Sequence, residues 1–448
     1  MNASHIRLAL LVMLWLAGTQ AAFGADSLHA VYLAARQRDP SFEAAKRQFE
    51  ATREKLVQAR ASLLPHLSLN ANTSRQKGVA SFNDADYADR TVRNSAWTLQ
   101  LAQPLWQPAL GAAYDQAELQ ALQAQHVLQQ AETELMLRVS QAYFDALVAA
   151  ENVTVTQTQI KAVEQQLTLV RRNFEAGLTT VTDVHEAQAR LALANAQHIG
   201  ALTESAAKAS ELEKLLGELP RPLAPLLAEA APPPPEPVQV QHWIDLALAD
   251  HPLLRSQQLA VAIAEREIAK LERAHGPTLE ATAGYGRNSG TGSMTSPTEV
   301  ASRSRSVQVG LQFSLPLYAG GATQSRVREA IALRDKAAAE LEATRRQLTA
   351  QVRQAFTAAV NGQSQIQALV QAAQASKAAV NSNKVGYRIG TRLNIDVLNA
   401  EQQQFVAERD LHKARADTLL QTLRLKAAGA RLGEDDLRAV GLLLKKGE

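Results

Sequence analysis

The sequence predicts a mixed α and β membrane protein: a transmembrane β-barrel shared between copies, four strands per chain, continued by a long α-helical coiled-coil barrel. Three observations point there. An export signal opens the chain, and no later segment is long and apolar enough for a membrane helix. Four segments alternate apolar and polar residues with a period of two. Very long stretches lack Gly and Pro and carry apolar residues stepping in threes and fours.

Composition narrows the classes. Over 448 residues, 47 Lys and Arg against 44 Asp and Glu leave a net charge of +3, spread along the chain, so no nucleic-acid partner is expected. Aromatic residues make up 4 %, thin for a globular enzyme, while Ala, Gln and Leu dominate as in long helices. There is no cysteine, which excludes disulfides, thiolate metal sites, a thiol nucleophile and a lipid-modified N-terminal Cys. Mean hydropathy is slightly negative, unlike that of a helical membrane protein. No cofactor is expected.

Residues 1–24 read as a signal peptide: Arg7, an apolar run from Leu8 to Ala17, then small residues at Ala22, Gly24 and Ala25. A membrane span needs roughly 20 apolar residues, twice what this run offers. The mature chain is therefore exported.

Eight of the 16 prolines lie between Pro220 and Pro237, a stiff connector over 218–241. The stretches on either side match. A shift of 212 carries Pro40, Pro65, Leu67, Leu99 and Pro104 onto Pro252, Pro277, Leu279, Leu311 and Pro316. A shift of 213 carries Val139, Gly177, Asp183 and Ala187 onto Val352, Gly390, Asp396 and Ala400. The chain is a tandem duplication, with repeats at 25–217 and 242–432 and a tail at 433–448. The repeat is much longer than a solenoid unit.

Each repeat opens with a helix, over 41–64 and 253–275, ended by Pro65 and by Gly276-Pro277. Two period-2 segments follow. Val307, Val309, Leu311, Phe313 and Leu315 alternate with Ser306, Gln308, Gly310, Gln312 and Ser314, the dyad pattern of a transmembrane barrel strand. Leu67 and Leu69, then Trp97, Leu99 and Leu101, then Leu279, Ala281, Ala283 and Tyr285 repeat it. Polar loops are expected over 73–90 and 287–303, with Trp106 and Tyr318 at the strand bases. The glycine-rich stretch 284–292 lacks phosphate-loop spacing.

Residues 112–176 then run without Gly or Pro, about 98 Å as one helix. Leu135, Val139, Ala142, Ala146, Ala149 and Val153 belong to a heptad seam that the second repeat copies from Leu341, Leu348 and Val352 onward. Four strands cannot close a barrel, and lipid leaves no partner for an open edge. About eight strands is the practical minimum, so the chain must oligomerise, with its helices forming a shared bundle below the barrel.

Two stretches sit at the helix turns. They are Asn173-Phe174-Glu175-Ala176-Gly177-Leu178 with Val181-Thr182-Asp183-Val184, and Val385-Gly386-Tyr387-Arg388-Ile389-Gly390-Thr391-Arg392 with Ile395-Asp396-Val397-Leu398-Asn399-Ala400. Chemically, Gly177 and Gly390 suit left-handed helix ends, and Thr182 or Asp183, and Asn394 or Asp396, suit caps of the next helix. The paired stretches, at matched places in both repeats, resemble the turns of the TolC family of outer-membrane channels, and the resemblance covers nearly the whole mature chain. It implies a homotrimer with a 12-stranded barrel in the outer-membrane lipid bilayer and most of each chain in the periplasm. It also implies docking on an inner-membrane ABC transporter and a periplasmic adaptor protein, for type I protein secretion, or alternatively for small-molecule efflux.

The resemblance assigns roles at a gate on the periplasmic entrance. Tyr387 and Arg392 match gate residues on the inner coil, Thr182 and Asp183 match their partners on neighbouring helices, and Asp396 matches a ring aspartate. The second ring aspartate is replaced by Asn399, which weakens a doubled anionic constriction. Of other classes, a periplasmic adaptor would carry lipoyl-like and barrel domains, which the sequence does not suggest. An exported enzyme would need a constellation that the ten scattered histidines do not make.

Overall fold

The computed structural model describes residues 27–81, 88–227, 232–296, 298 and 301–444. The signal peptide expected over 1–24 lies outside them. The described elements are α1 (Leu28–Arg38), α2 (Pro40–Ala61), β1 (His66–Ala80), β2 (Ala88–Trp106), α3 (Pro108–Glu175), α4 (Val181–Leu216), α5 (Val240–Asp250) and α6 (Pro252–Arg273). They continue with β3 (Thr278–Thr291), β4 (Ser302–Ser314), α7 (Ala322–Arg388), α8 (Asn394–Ala428) and α9 (Glu434–Gly441). Prolines open α2, α3 and α6 at the position where a missing N–H costs nothing. The chain divides into two compact units, each assembled from corresponding stretches of both repeats.

The unit made of Ala45–Gln129 and Pro252–Arg346 holds the sheet. Its order is β1-β2-β3-β4, antiparallel throughout. The register aligns Leu67 with Leu101, Leu101 with Ala283 and Ala283 with Val309, so the alternating apolar residues singled out in all four strands share one face. His66, Ser68, Gln100, Thr282, Gln308 and Gln312 take the other. The apolar face is bare: Val309 is 80 % exposed and Leu69 67 %. Trp97 and Tyr285 meet on it edge to face, ring centroids 5.5 Å apart. The outer edges of β1 and β4 pair with nothing in the sheet.

The strands are longer than the alternation suggests. The sequence reading places polar loops over 73–90 and 287–303, whereas β1 and β2 stay paired out to Ala80 and Ala88, and β3 and β4 out to Gly290 and Ser302. In a membrane strand apolar alternation is needed only where lipid is met, whereas the backbone ladder can continue beyond it. The glycine-rich stretch 284–292 is mostly β3.

The other unit comprises the chain up to Ala44 with Gln130–His251 and Gln347–Glu448, and it is helical. Two short helices, α1 and α5, go beyond the sequence reading. Leu28, Val31, Tyr32 and Ala35 of α1 are buried, as are Trp243, Ile244 and Ala247 of α5. Each spans only 11 residues, too short for periodicity to stand out. Val139 and Val352, matched across the repeats, are both fully buried. The described ends of the proline-rich connector are docked: Leu227 N–H donates to the Leu443 carbonyl (3.0 Å), and Gln363 donates to the Pro232 carbonyl (2.6 Å). Within the C-terminal segment 433–448, α9 buries Leu437, and Glu434 accepts from Arg36 at 2.7 Å. Helices α7 and α8 approach closely at Gly362, where a Cβ would lie 2.5 Å from Thr418 Oγ1.

Candidate functional site

The turn after α3 and the turn after α7 have one backbone solution. Leu178 N–H reaches back to the Asn173 carbonyl (2.8 Å) and Gly177 N–H to that of Phe174 (2.9 Å). Thr391 and Gly390 repeat this with Gly386 (2.9 Å) and Tyr387 (3.1 Å). This is a Schellman end, which needs a left-handed residue, and Gly177 and Gly390 supply it at φ 73° and 80°. The turn glycines therefore sit where their residue type is required.

The caps that follow differ. Asp183 accepts from the Thr180 amide (3.0 Å), the Thr180 hydroxyl (2.8 Å) and the Thr179 hydroxyl. Thr180 Oγ1 in return accepts from Asp183 N–H (3.3 Å), a complete capping box. Partial burial pulls the Asp183 pKa up, but the Thr179 and Thr180 hydrogen bonds outweigh it, and the carboxyl sits below its ordinary value. In the second repeat Leu393 stands in the place of Thr180. A leucine side chain cannot accept a hydrogen bond, so Asp396 has only the Leu393 amide (3.2 Å).

Tyr387 is half-buried against a core of Val163, Leu167, Val170, Val184, Ala187 and Leu398. Its hydroxyl accepts from Asn173 Nδ2 at 3.2 Å, tying α7 to α3. Among the described residues no hydrogen bond joins it to Thr182 or Asp183. Arg392 is exposed and has no ion-pair or hydrogen-bond partner among the described residues; its stem lies against Gly386, whose notional Cβ would be 2.7 Å from Arg392 Cγ. Thr182 is exposed. Asn399 is bound to Arg190 Nη2 at 2.6 Å, joining α8 to α4.

The structure adds a row that the apolar seam obscures. Gln159, Gln166 and Asn173 are seven residues apart on α3. Gln159 donates to Gln402 (2.7 Å), Gln166 to Asn394 (2.7 Å) and Asn173 to Tyr387. Gln166 is 6 % exposed and Asn394 1 %. Asn394 also donates to the Asp183 carbonyl at 3.4 Å. Buried amides at heptad spacing fix register, because a slip would leave them unpaired. The spacing is in the sequence, but only the partners on α7 and α8 distinguish it from a solvated glutamine face. Lys384 and buried Glu401 add an ion pair of 2.7 Å between α7 and α8. Among the described residues no group of three or more His, Asp or Glu is placed to hold a metal ion.

Comparison with known proteins follows the duplication. The family described as "Outer membrane efflux protein" matches twice, over residues 31–218 and 243–430. The alkaline protease secretion protein AprF of Pseudomonas aeruginosa is 32 % identical over 98 % of this chain and 92 % of its own length. The outer membrane protein TolC of Escherichia coli is 30 % identical over 98 % of this chain and 89 % of its own length. Among solved structures, the CmeC outer membrane channel of Campylobacter jejuni superposes with a TM-score of 0.75 at 18 % identity, covering 93 % of this chain and 90 % of that one.

Proposed function

Because the chain belongs to the outer membrane efflux protein family, whose members are outer-membrane channels and not enzymes, we propose that it is the exit channel of a type I protein secretion system. In this reading it works as a homotrimer with a periplasmic adaptor and an inner-membrane ABC transporter. The observation that carries the assembly is the sheet: four strands, one bare apolar face and two unpaired edges. In lipid each unpaired edge group costs several kcal/mol, and copies of the chain supply the missing partners. Three copies give the twelve strands that the resemblance implies. The polar face lines the passage.

The gate reading rests on what the turns leave unsatisfied. Arg392 presents a guanidinium with no partner among the described residues, and Asp396 accepts from a single donor among them. Thr182 and Asp183 of a neighbouring subunit are the groups within its chemistry, with Tyr387 beside them. Asn399, engaged with Arg190, leaves Asp396 as the anionic position. Tyr387→Phe with Arg392→Ser is expected to leave the fold intact and raise single-channel conductance in planar bilayers. An unchanged conductance counts against the gate.

Protein cargo is favoured by the full-length similarity to a protease secretion protein. Small-molecule efflux is the second reading, favoured by the family's description. A deletion strain separates them: loss of a secreted protein supports the first, and drug hypersensitivity with an intact secretome supports the second.

A further inference from the structure

We propose that the lipid-facing side of the sheet carries, beyond its apolar band, a cationic belt that holds phosphorylated lipid headgroups of the surrounding leaflet. The register places it. Outward positions on the four strands are those aligned with Leu69, Leu99, Tyr285 and Val307. Continuing toward the hairpin ends on that same face, β1 carries Arg75 and Lys77, β2 Arg93, β3 Arg287, and β4 Arg305 and Arg303. All six are exposed, and none has an ion-pair partner among the described residues. The only acid on this face of the described strands is Asp89, near the tip. The lumen-side face has one cation at this level, Arg90, hydrogen-bonded to the Ser296 carbonyl at 3.4 Å.

Two features separate a binding belt from general solvation. The charge is one-sided, whereas cations serving only solubility would populate both faces. And like charges are directly opposed: Arg75 pairs with Arg93, and Arg287 with Arg305. Side chains so placed lie about 5 Å apart at Cβ, and like charges there are destabilising. A shared anion reverses the sign, since two guanidinium forks can each bind one phosphate through charge-assisted bonds. Guarding a sheet edge does not explain them either, because Arg93 and Arg287 stand on the inner strands β2 and β3.

The position selects the anion. The belt begins one outward step beyond Tyr285 and Val307, where the apolar face ends and headgroups begin. It lies at the hairpin ends of the strands, away from the ends that join α2, α3, α6 and α7. With those helices on the periplasmic side, as the channel reading has it, the partner is a phosphate-bearing glycolipid of the outer leaflet.

The test uses the full mature chain in detergent, titrated with diphosphoryl lipid A, with dephosphorylated lipid A and with inorganic phosphate, and read by native mass spectrometry. The expected result is binding of the phosphorylated lipid about tenfold or more tighter than of the dephosphorylated one, falling to within about twofold in R75Q/R93Q/R287Q/R305Q. Equal binding of the two lipids, or inorganic phosphate displacing the phosphorylated lipid at comparable concentration, overturns the proposal. If the fourfold variant does not assemble, R75Q/R93Q and R287Q/R305Q are each expected to lose part of the preference, and an unchanged preference in both overturns it. Cargo and gating do not enter this readout, so its failure leaves the channel reading standing.

Discussion

Removing both members of the Gln166–Asn394 pair is expected to cost less than the two single removals added together. The two amides are joined at 2.7 Å and are 6 % and 1 % exposed, so no water replaces a lost partner. Gln166→Leu strands the Asn394 oxygen, and Asn394→Leu strands the Gln166 amide and also gives up the bond to the Asp183 carbonyl. Each orphaned group is worth about 1–3 kcal/mol. The double Leu variant strands neither side-chain amide, so it should be more stable than the summed singles by about 1–2 kcal/mol. The measurement is a double-mutant cycle on the purified protein in detergent, by urea unfolding followed by far-UV circular dichroism. Single effects that add to within about 0.5 kcal/mol would refute the coupling, and with it the claim that buried amides set the register of α3 against α8.

Asp183→Asn removes the carboxylate of the α4 cap, at about 1 kcal/mol near neutral pH. Asp183 titrates lower folded than unfolded. Its contribution is therefore full above the ordinary carboxylate range and fades as pH falls through the lowered value, so unfolding curves of parent and variant should converge in acid. Gly362→Ala puts a Cβ against buried Thr418 and should destabilise by about 1–3 kcal/mol, seen as an earlier thermal transition. Val309→Arg places a charge on the bare apolar face and should cost about 2–4 kcal/mol of membrane stability, read as less assembled channel in outer-membrane fractions. Gln308→Arg, on the opposite face, should leave that yield unchanged.

The strands and the two longest helices are legible from the sequence because their signals are long: whole alternations, and 65 residues without Gly or Pro. The turns are legible because Gly177 and Gly390 recur at the same offset as the rest of the repeat. Strand ends are not, since polar pairs such as Ser74 with Asn94 continue a ladder that alternation cannot follow. Helices α1 and α5 are hidden by their length. At the turns, Asp183 is visible as a cap or gate residue, but the Tyr387–Asn173 and Asn399–Arg190 bonds join residues more than 200 positions apart, and nothing local announces them.

The two turns come from one ancestor, yet they are no longer equally fastened. With Leu393 where the earlier turn has Thr180, the cap carboxylate of the later turn accepts one hydrogen bond where that of the earlier sits in an interlocked set. The missing latch is worth about 1 kcal/mol to the α8 cap. On the gate proposal, a duplicated scaffold thus carries a firm anvil and a looser hammer, and the half with the barer cap is the one that bears Tyr387 and Arg392.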